Sequence, residues 1–208
     1  MIECVRGDVG MLLVICGPSG VGKTTITHAV EKQIPGAVFS VSCTTRAITP
    51  KDREGVDYFF VTDQEFDRQI SQNAFLEWAG VFGKRYGTPK QWVCDRLNEG
   101  KLVILEIDVQ GAVNVKKHIP DAFCLFVLPP SEDELLSRLR ARGREDEAKI
   151  QRRFGEARRE IEVARNCGVY DVFLVNRTLD AAVAQAVGLV NAEWNRRKAL
   201  QSAGRGAR

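Results

Sequence analysis

The glycine-rich segment GPSGVGKT, residues 17–24, limits more strongly than any other feature what this chain can fold into. It follows the apolar run MLLVIC and leads into TTITHAVEKQI, which reads as a helix, so it joins a predicted strand to a predicted helix. Its glycines let the backbone amides turn inward while the helix N-terminus adds positive potential, and both properties suit phosphate. A chance glycine-rich turn is the alternative, but chance rarely supplies the strand, the helix, the lysine and the hydroxyl together. The segment therefore predicts a site for a nucleoside triphosphate.

Two side chains at the end of this segment have predictable roles. Lys23 can reach the outer phosphates, and the Thr24 hydroxyl can ligate magnesium. We therefore expect magnesium to bind together with the nucleotide. The predicted triphosphate-binding residues are Gly17, Pro18, Ser19, Gly20, Val21, Gly22, Lys23, Thr24 and Thr25.

Three further apolar runs have the length of strands. They are LVILEIDV at 102–109, AFCLFVL at 122–128 and VFLVN at 172–176. Near-continuous Val, Ile and Leu are typical of strands that are covered on both faces. Because helical segments separate the runs, the chain is predicted to form an α/β fold around a parallel sheet.

Residues 38–95 and 138–165 interrupt this alternation. The first region mixes short β-like pieces with the helical segment DQEFDRQISQ, and we predict that it forms an inserted β-rich lobe. The second region is rich in arginine, and its apolar residues recur at steps of four and three, which predicts a helix with one narrow apolar stripe. The stripe consists of Ile150, Phe154, Ala157, Ile161 and Ala164.

Capping-box patterns predict where two of the helices begin. Thr62 stands three residues before Glu65, and Ser131 stands three residues before Glu134. In this pattern the hydroxyl accepts a hydrogen bond from the backbone N–H three residues later. Helices are therefore expected to start just after Thr62 and Ser131.

The composition excludes several classes of protein. A formal net charge of +3, with 44% hydrophobic and 27% charged residues, is that of an ordinary globular protein rather than a nucleic-acid-binding or disordered one. The six cysteines show no metal-ligand spacing, so we expect reduced thiols and no zinc. The apolar run near the N-terminus is too short to span a membrane and makes a poor signal peptide. The expected location is the cytoplasm, with neither nucleic acid nor membrane as a partner.

Two carboxylates, Glu106 and Asp108, lie near the end of the second apolar run. Along a strand they would point the same way, because side chains alternate with a period of two. Such a pair is costly to bury without a cation or hydrogen-bond donors, so it indicates a ligand; a strand end that enters solvent is the alternative.

Six blocks together resemble the guanylate kinase family, whose members phosphorylate GMP to GDP with ATP. In chain order they are GPSGVGKT, SVSCTTR, GVDYFF, FLEWAGVFGKRYGT, EIDVQG and LPPSEDELLSRLRARG, and the resemblance covers residues 11–195. It implies a three-layer P-loop kinase with a parallel central sheet, a GMP-binding lobe and a helical arginine lid. The implied single domain, residues 1–208, has its core at 11–37, 96–137 and 161–197, its lobe at 38–95, its lid at 138–160 and a flexible tail at 198–208.

The resemblance also implies roles for individual residues. The GMP phosphate would be held by Arg46, Tyr58 and Tyr86, and the guanine ring by Ser42, Glu77, Thr88 and Asp108. Carboxylates suit guanine because its N1–H and exocyclic amine are donors, whereas adenine presents an acceptor there. The implied catalytic residues are Lys23 and the lid arginines Arg138, Arg142 and Arg153.

One position departs from the family pattern. The family usually carries a second arginine three residues after Arg46, but this chain has Thr49. We hypothesise that Lys51 or Arg53 replaces the missing guanidinium. The implied substrates are ATP and GMP, with dGMP as a further acceptor, for a monomer or a homodimer. A catalytically silent interaction module and a kinase for another nucleoside monophosphate are the alternatives.

Overall fold

The protein consists of a central parallel sheet with its helices and an adjoining β-rich lobe. The structure is a computed structural model, and it describes residues 10–81, 83–141 and 146–205. In chain order the elements are β1 (Met11–Cys16), α1 (Lys23–Gln33), β2 (Ala37–Phe39), β3 (Cys43–Thr44), β4 (Phe59–Phe60), α2 (Asp63–Ser71), β5 (Phe75–Val81), β6 (Lys84–Pro89), α3 (Lys90–Asn98), β7 (Leu102–Glu106), α4 (Val109–His118), β8 (Phe123–Leu128), α5 (Glu132–Ala141), α6 (Glu147–Asn166), β9 (Val172–Val175) and α7 (Leu179–Arg205). The central sheet has the strand order β2-β7-β1-β8-β9, and all its pairs are parallel. The predicted α/β class with a parallel central sheet is confirmed.

Strand β1 shows why the strands are apolar along their whole length. Leu12, Val14 and Cys16 pack into the core on one face of the sheet. The alternate residues Met11, Leu13 and Ile15 pack into the core on the other face, against α1 and α7. Because helices cover both faces, no position of the strand can be polar without burying an unpaired group.

The β-rich lobe, which we define as residues 43–89, is a second sheet of order β4-β3-β6-β5 together with α2. It is shorter than the predicted lobe at both ends. Strand β2 pairs with β7 and therefore belongs to the central sheet. Helix α3 places Val93 and Leu97 in the central core, so it also belongs to the main body.

The predicted helix starts after Thr62 and Ser131 are confirmed. The backbone N–H of Glu65 donates to Thr62 Oγ1 at 3.1 Å, and that of Glu134 donates to Ser131 Oγ at 3.1 Å. The predicted stripe lies on α6, where Ile150 packs against α5. Further along the helix, the stripe continues into the central core, so the arginine-rich segment is tied to the main body at its C-terminal end.

Two features differ from the sequence predictions. Helix α7 continues to Arg205, although a flexible tail from 198 onwards was expected. In its last turns, Lys198 Nζ lies 4.1 Å from the centre of the Trp194 ring, and the Ser202 hydroxyl donates to the Lys198 carbonyl. Cys94 is disulfide-bonded, which contradicts the expectation that all thiols are reduced. None of the helices in the described part of the chain combines the length and the apolar content that crossing a membrane requires.

Candidate active site

The turn between β1 and α1, residues 17–24, forms a loop that we call the phosphate cradle. Gly17 and Gly22 have φ angles of 148° and 96°, which favour glycine. A Cβ atom on Gly17 would lie 2.5 Å from the carbonyl oxygen of Val127, and one on Gly22 would lie 2.7 Å from Asn176 Nδ2. Both positions therefore require glycine for conformation and for space.

The cradle holds the ammonium group of Lys23 inside its curve. Lys23 Nζ donates to the carbonyl oxygens of Gly17 at 2.5 Å and Pro18 at 3.0 Å. Val21 is fully buried and anchors the loop in the core. The lysine charge is therefore held inside the loop, at the wall of a cavity. Thr25 follows in the first turn of α1 and is exposed.

Asn176 supports the cradle from behind. It is 4% exposed, and its Nδ2 donates to the Val21 carbonyl at 2.8 Å. Arg138 Nη2 donates to the Asn176 carbonyl at 3.1 Å, and Arg138 Nε donates to Glu134 Oε1 at 2.8 Å. The structure thus places this predicted lid arginine behind the cradle rather than among the described residues that line the cavity next to it.

A cavity of about 690 Å³ lies between the phosphate cradle and the β-rich lobe. It is lined by Gly17, Ser19, Lys23, Ser42, Arg46, Tyr58, Glu77, Ala79, Val81, Tyr86, Glu106, Ile107, Asp108, Arg153 and Glu160. The cavity therefore brings together six of the seven residues predicted for GMP and three of the nine predicted for the triphosphate, although they come from distant parts of the sequence.

Glu77 on β5 is a buried carboxyl group in the wall of this cavity, only 7% exposed. The pKa of Glu77 is raised to about 7, mainly by burial; a hydrogen bond from Thr88 opposes the rise, and the nearby charge of Asp108 adds to it. That bond joins Thr88 Oγ1 to Glu77 Oε1 at 2.5 Å, and Thr88 itself is fully buried. The structure therefore places Thr88 behind Glu77, where it orients the carboxyl group.

Asp108 reaches the same cavity from the start of α4. Strand β7 ends at Glu106, so the predicted strand alternation does not extend to Asp108, which instead caps the helix. Its Oδ1 accepts a hydrogen bond from the Gly111 N–H at 2.6 Å, because helix N-termini leave such donors unsatisfied. Burial raises the pKa of Asp108, while the backbone hydrogen bonds and the charge of Lys23 lower it.

Gly111 shows how closely the two carboxyl groups approach each other. A Cβ atom on this residue would lie 2.7 Å from Glu77 Oε2 and 3.3 Å from Asp108 Oδ1. Two acidic groups that converge on one point favour a ligand that supplies two hydrogen-bond donors.

Glu106 stands at the junction of the cradle and the sheet. The Thr24 hydroxyl donates to Glu106 Oε1 at 2.8 Å. Oxygen ligands of this kind suit magnesium, which takes few ligands from the protein and completes its shell with water and phosphate. Among the described residues, no group of three or more His, Cys, Asp or Glu side chains could hold a metal ion. Sequence reasoning noticed this carboxylate but assigned the metal to Thr24 alone.

Arg46, Tyr58 and Tyr86 meet on the lobe side of the cavity. The two tyrosine rings are 5.7 Å apart between centroids, and Arg46 Cζ lies 5.2 Å from the Tyr58 centroid and 5.3 Å from that of Phe60. Burial raises the pKa of Tyr58 to about 12, so its hydroxyl keeps a proton to donate. These groups form a cationic corner rich in donors, which suits a phosphate.

The residues proposed to replace the missing arginine lie elsewhere. Arg53 is 73% exposed and its Nε lies 3.4 Å from Asp57 Oδ2. Lys51 is exposed on the same loop. Neither belongs to the described residues that line the cavity, so the geometry does not favour the hypothesis of substitution.

Helix α6 contributes both a cation and an acid to the cavity. Arg153 donates a hydrogen bond to the Ser19 hydroxyl of the cradle. Glu160, seven residues later on the same helix, also lines the cavity. Burial raises the pKa of Glu160 to about 7, and the charge of Lys23 opposes that shift. Sequence reasoning missed Glu160, although its spacing from Arg153 placed both on one helix face. Arg142 lies outside the described residues.

Comparisons with known proteins agree on one family. The model of the family described as guanylate kinase matches residues 10–193. The guanylate kinase of Anaeromyxobacter dehalogenans is 47% identical over 197 residues, which are 94% of this chain and 84% of that protein. The guanylate kinase of Thermotoga maritima is 45% identical over 184 residues, which are 88% and 87% of the two chains. A crystal structure of guanylate kinase from Anaplasma phagocytophilum superposes with a TM-score of 0.75 at 32% identity, covering 90% of this chain and 88% of that one.

Proposed function

The chain belongs to the guanylate kinase family, and on that premise we propose that it transfers the γ-phosphoryl group of ATP to GMP, giving ADP and GDP. The main support for this proposal is that Glu77 and Asp108 line the same cavity as residues of the phosphate cradle. The cradle accounts for a triphosphate donor, and the acidic pair accounts for a guanine acceptor.

The acidic pair discriminates between purines through its hydrogen bonds. Ionised Glu77 and Asp108 can only accept, and guanine offers the N1–H and the exocyclic amine as donors. Adenine would leave an acceptor facing the carboxylates, and the site would lose those bonds. Such a mismatch can reject the wrong substrate by about 10⁴-fold to 10⁵-fold. Ser42, which lines the same region, is proposed as a further guanine contact, and Thr88 acts by orienting Glu77.

Phosphoryl transfer mainly requires alignment and neutralisation of charge, and the chain supplies both. Arg46, Tyr58 and Tyr86 hold the GMP phosphate in line, while Lys23 and Arg153 place positive charge beside the phosphates of ATP. The acceptor phosphate is already ionised at neutral pH, so the reaction needs no general base. Arg138 is proposed to act through Asn176, which holds the cradle in shape.

Magnesium is the proposed companion of ATP. Thr24 and Glu106 would hold it, and their 2.8 Å hydrogen bond shows that the two oxygens are close enough to share one ligand. When bound, the ion neutralises charge on the β- and γ-phosphate oxygens.

Closure of the lobe and of the segment 138–160 over the substrates would keep water away from the phosphoryl group, because water competes as a nucleophile. We propose the cytoplasm as the place of action, where ATP and GMP are both present.

A coupled assay of ADP formation tests the proposed function. ATP and magnesium are offered with GMP, dGMP, AMP, CMP or UMP as the acceptor, each at the same concentration. We expect turnover with GMP, weaker or equal turnover with dGMP, and negligible turnover with the other three. A preference for another acceptor would indicate a different nucleoside monophosphate kinase, and absence of turnover with all five would indicate a silent interaction module.

A further inference from the structure

Arg46, which lines the cavity, is held by a carboxylate that lies outside it. Arg46 Nη1 donates to Asp52 Oδ2 and Arg46 Nη2 donates to Asp52 Oδ1, both at 2.9 Å. Nη1 also donates to the Ala47 carbonyl at 3.1 Å. Arg46 and Asp52 therefore form a bidentate ion pair with two parallel hydrogen bonds. Such a pair fixes the orientation of the guanidinium.

Asp52 is in turn held by Thr49. The Thr49 backbone N–H donates to Asp52 Oδ2 at 2.7 Å, and the Thr49 hydroxyl donates to the same oxygen at 2.6 Å. The bond from Arg46, followed by those from Thr49, holds the pKa of Asp52 well below its ordinary value. The carboxylate is therefore ionised throughout the neutral range and always available to Arg46.

The geometry decides which edge of Arg46 is occupied. A guanidinium presents one fork at its end, through Nη1 and Nη2, and a second fork at its side, through Nε and Nη2. Asp52 occupies the end fork. Within the described residues, the Nε–H of Arg46 meets no hydrogen-bond acceptor, so the side fork is left for a ligand. The rings of Tyr58 and Phe60 pack against the guanidinium, with their centroids 5.2 Å and 5.3 Å from Arg46 Cζ.

We propose that Asp52 is a positioning residue for the acceptor's phosphate, and that Thr49 positions Asp52. Asp52 keeps the end fork of Arg46, and the phosphate of the acceptor nucleotide takes the side fork. This inference rests on the proposed function. It also explains the departure at Thr49. The family has a second arginine at this position, whereas in this chain Thr49 holds Asp52, and Asp52 orients Arg46.

The competing account treats Asp52 as a stand-in for the phosphate. In that account the carboxylate blocks Arg46 in the empty protein, and GMP must displace it. The two accounts predict opposite changes when Asp52 loses its charge. A positioning carboxylate makes GMP bind more tightly, whereas a blocking carboxylate makes it bind more weakly.

The variant Asp52→Asn separates the two accounts, because asparagine has the same shape but no charge and only one oxygen. We expect the KM for GMP to rise about tenfold, since one charge-assisted hydrogen bond is lost and Arg46 is free to rotate. The KM for ATP should stay within about twofold, because the cradle is untouched. Calorimetry should show weaker binding of GMP but unchanged binding of guanosine, which has no phosphate.

Two further variants serve as the matched series. Thr49→Val removes the hydroxyl but keeps the backbone N–H, so the KM for GMP should rise by only about twofold to threefold. Asp57→Asn changes a carboxylate of the same loop that contacts Arg53 rather than Arg46, and it should leave all constants unchanged. A melting curve for each variant shows whether it is folded.

The possible outcomes distinguish this inference from the proposed function. If Asp52→Asn lowers the KM for GMP or leaves it unchanged, or if it weakens guanosine binding as much as GMP binding, the positioning role is wrong. If the unaltered protein does not phosphorylate GMP, the proposed function fails; the calorimetric comparison of GMP with guanosine then still tests whether Asp52 orients a phosphate site.

Discussion

The phosphate cradle and the β-rich lobe build their sides of one cavity by different means. The cradle is a contiguous turn whose shape is set by the backbone and by glycines, with β1 buried on both faces beneath it. The lobe contributes isolated charged and aromatic side chains from separate segments, and each depends on a partner, as Glu77 does on Thr88 and Arg46 on Asp52. A site made of backbone tolerates most side-chain changes nearby, whereas a site made of paired side chains can be lost through a residue that never touches the ligand. Variants on the two sides of the cavity should reveal this difference.

Lys23 is the exception within the cradle, because its side chain supplies the charge that the backbone cannot. Lys23→Ala should lower kcat by about 10²-fold to 10³-fold, since positive charge at the transferring group is lost. The dissociation constant for GMP, measured by calorimetry, should not change. Lys32→Ala, at the other end of α1, is the matched control and should have normal activity. A loss of less than tenfold for Lys23→Ala would mean that the cradle does not depend on this charge.

Glu77→Gln should have the largest effect on the lobe side. An amide presents donors as well as an acceptor, so the preference for GMP over AMP, measured as a ratio of kcat/KM values, should fall by about 10²-fold. Glu106→Gln is a comparison that should lower kcat and leave this ratio unaltered, because Glu106 faces Thr24. An unchanged preference in Glu77→Gln would remove Glu77 from guanine recognition.

The same variant should be more stable at high pH. The pKa of Glu77 is about 7 when folded and near 4.5 when unfolded, so the folded state holds an extra proton between these values. The free energy of unfolding of the unaltered protein therefore falls as the pH rises from about 4.5 to 7. Glu77→Gln lacks this loss, and at pH 8 it should be more stable by about 1–3 kcal/mol. Denaturant melts at pH 5 and pH 8 measure the difference, and equal stability of the two proteins at pH 8 would contradict the raised pKa.

Gly111→Ala tests the lobe site through a residue outside it. The new methyl group would meet the end of the Glu77 side chain, which can move, so the fold should survive while the carboxyl group is displaced. We expect the KM for GMP to rise about tenfold with an unchanged KM for ATP. Gly188→Ala, on α7, has nothing within 4 Å of the added atom, and it should stabilise the protein by up to about 1 kcal/mol without affecting GMP. If Gly111→Ala keeps a normal KM for GMP, as the control does, then GMP binding does not depend on the observed position of the Glu77 carboxyl group.

The smallest effect is expected from the exposed loop of the lobe. Changing Lys51 and Arg53 together to alanine should leave the KM for GMP within about twofold, because neither side chain lines the cavity and screened surface charges contribute little. Steady-state kinetics at two salt concentrations provide the measurement. A KM raised tenfold would revive the hypothesis that these residues replace the missing arginine.

The cradle and the central sheet could be predicted from the sequence because their signals are local. A glycine-rich turn between a buried strand and a helix is a contiguous pattern, and the near-continuous apolar runs indicate strands covered on both faces. The boundaries of the lobe were harder to predict from the sequence. Strand β2 is only three residues long, and nothing in its composition distinguishes an edge of the central sheet from a strand of the lobe.

The side chains of the lobe site needed more than local pattern. Glu77, Arg46 and Tyr86 could be selected only through the resemblance to a family, since their convergence depends on tertiary structure. The strand pattern predicted that Asp108 lies near Glu106, which is correct. The reason was wrong, because the strand ends at Glu106 and Asp108 is the N-cap of α4. The pairing of Asp52 with Arg46 depends on the conformation of a loop, and no periodicity marks it.

The most direct test of the central claim is the affinity of the protein for three nucleotides that differ only at the purine edge. Calorimetry at pH 8, without ATP, compares GMP, IMP, which lacks the exocyclic amine, and AMP. The account predicts that GMP binds most tightly, that IMP binds more weakly, and that AMP binds at least about 10³-fold more weakly than GMP, because Glu77 and Asp108 then face an acceptor. Equal affinities for GMP and AMP would contradict it.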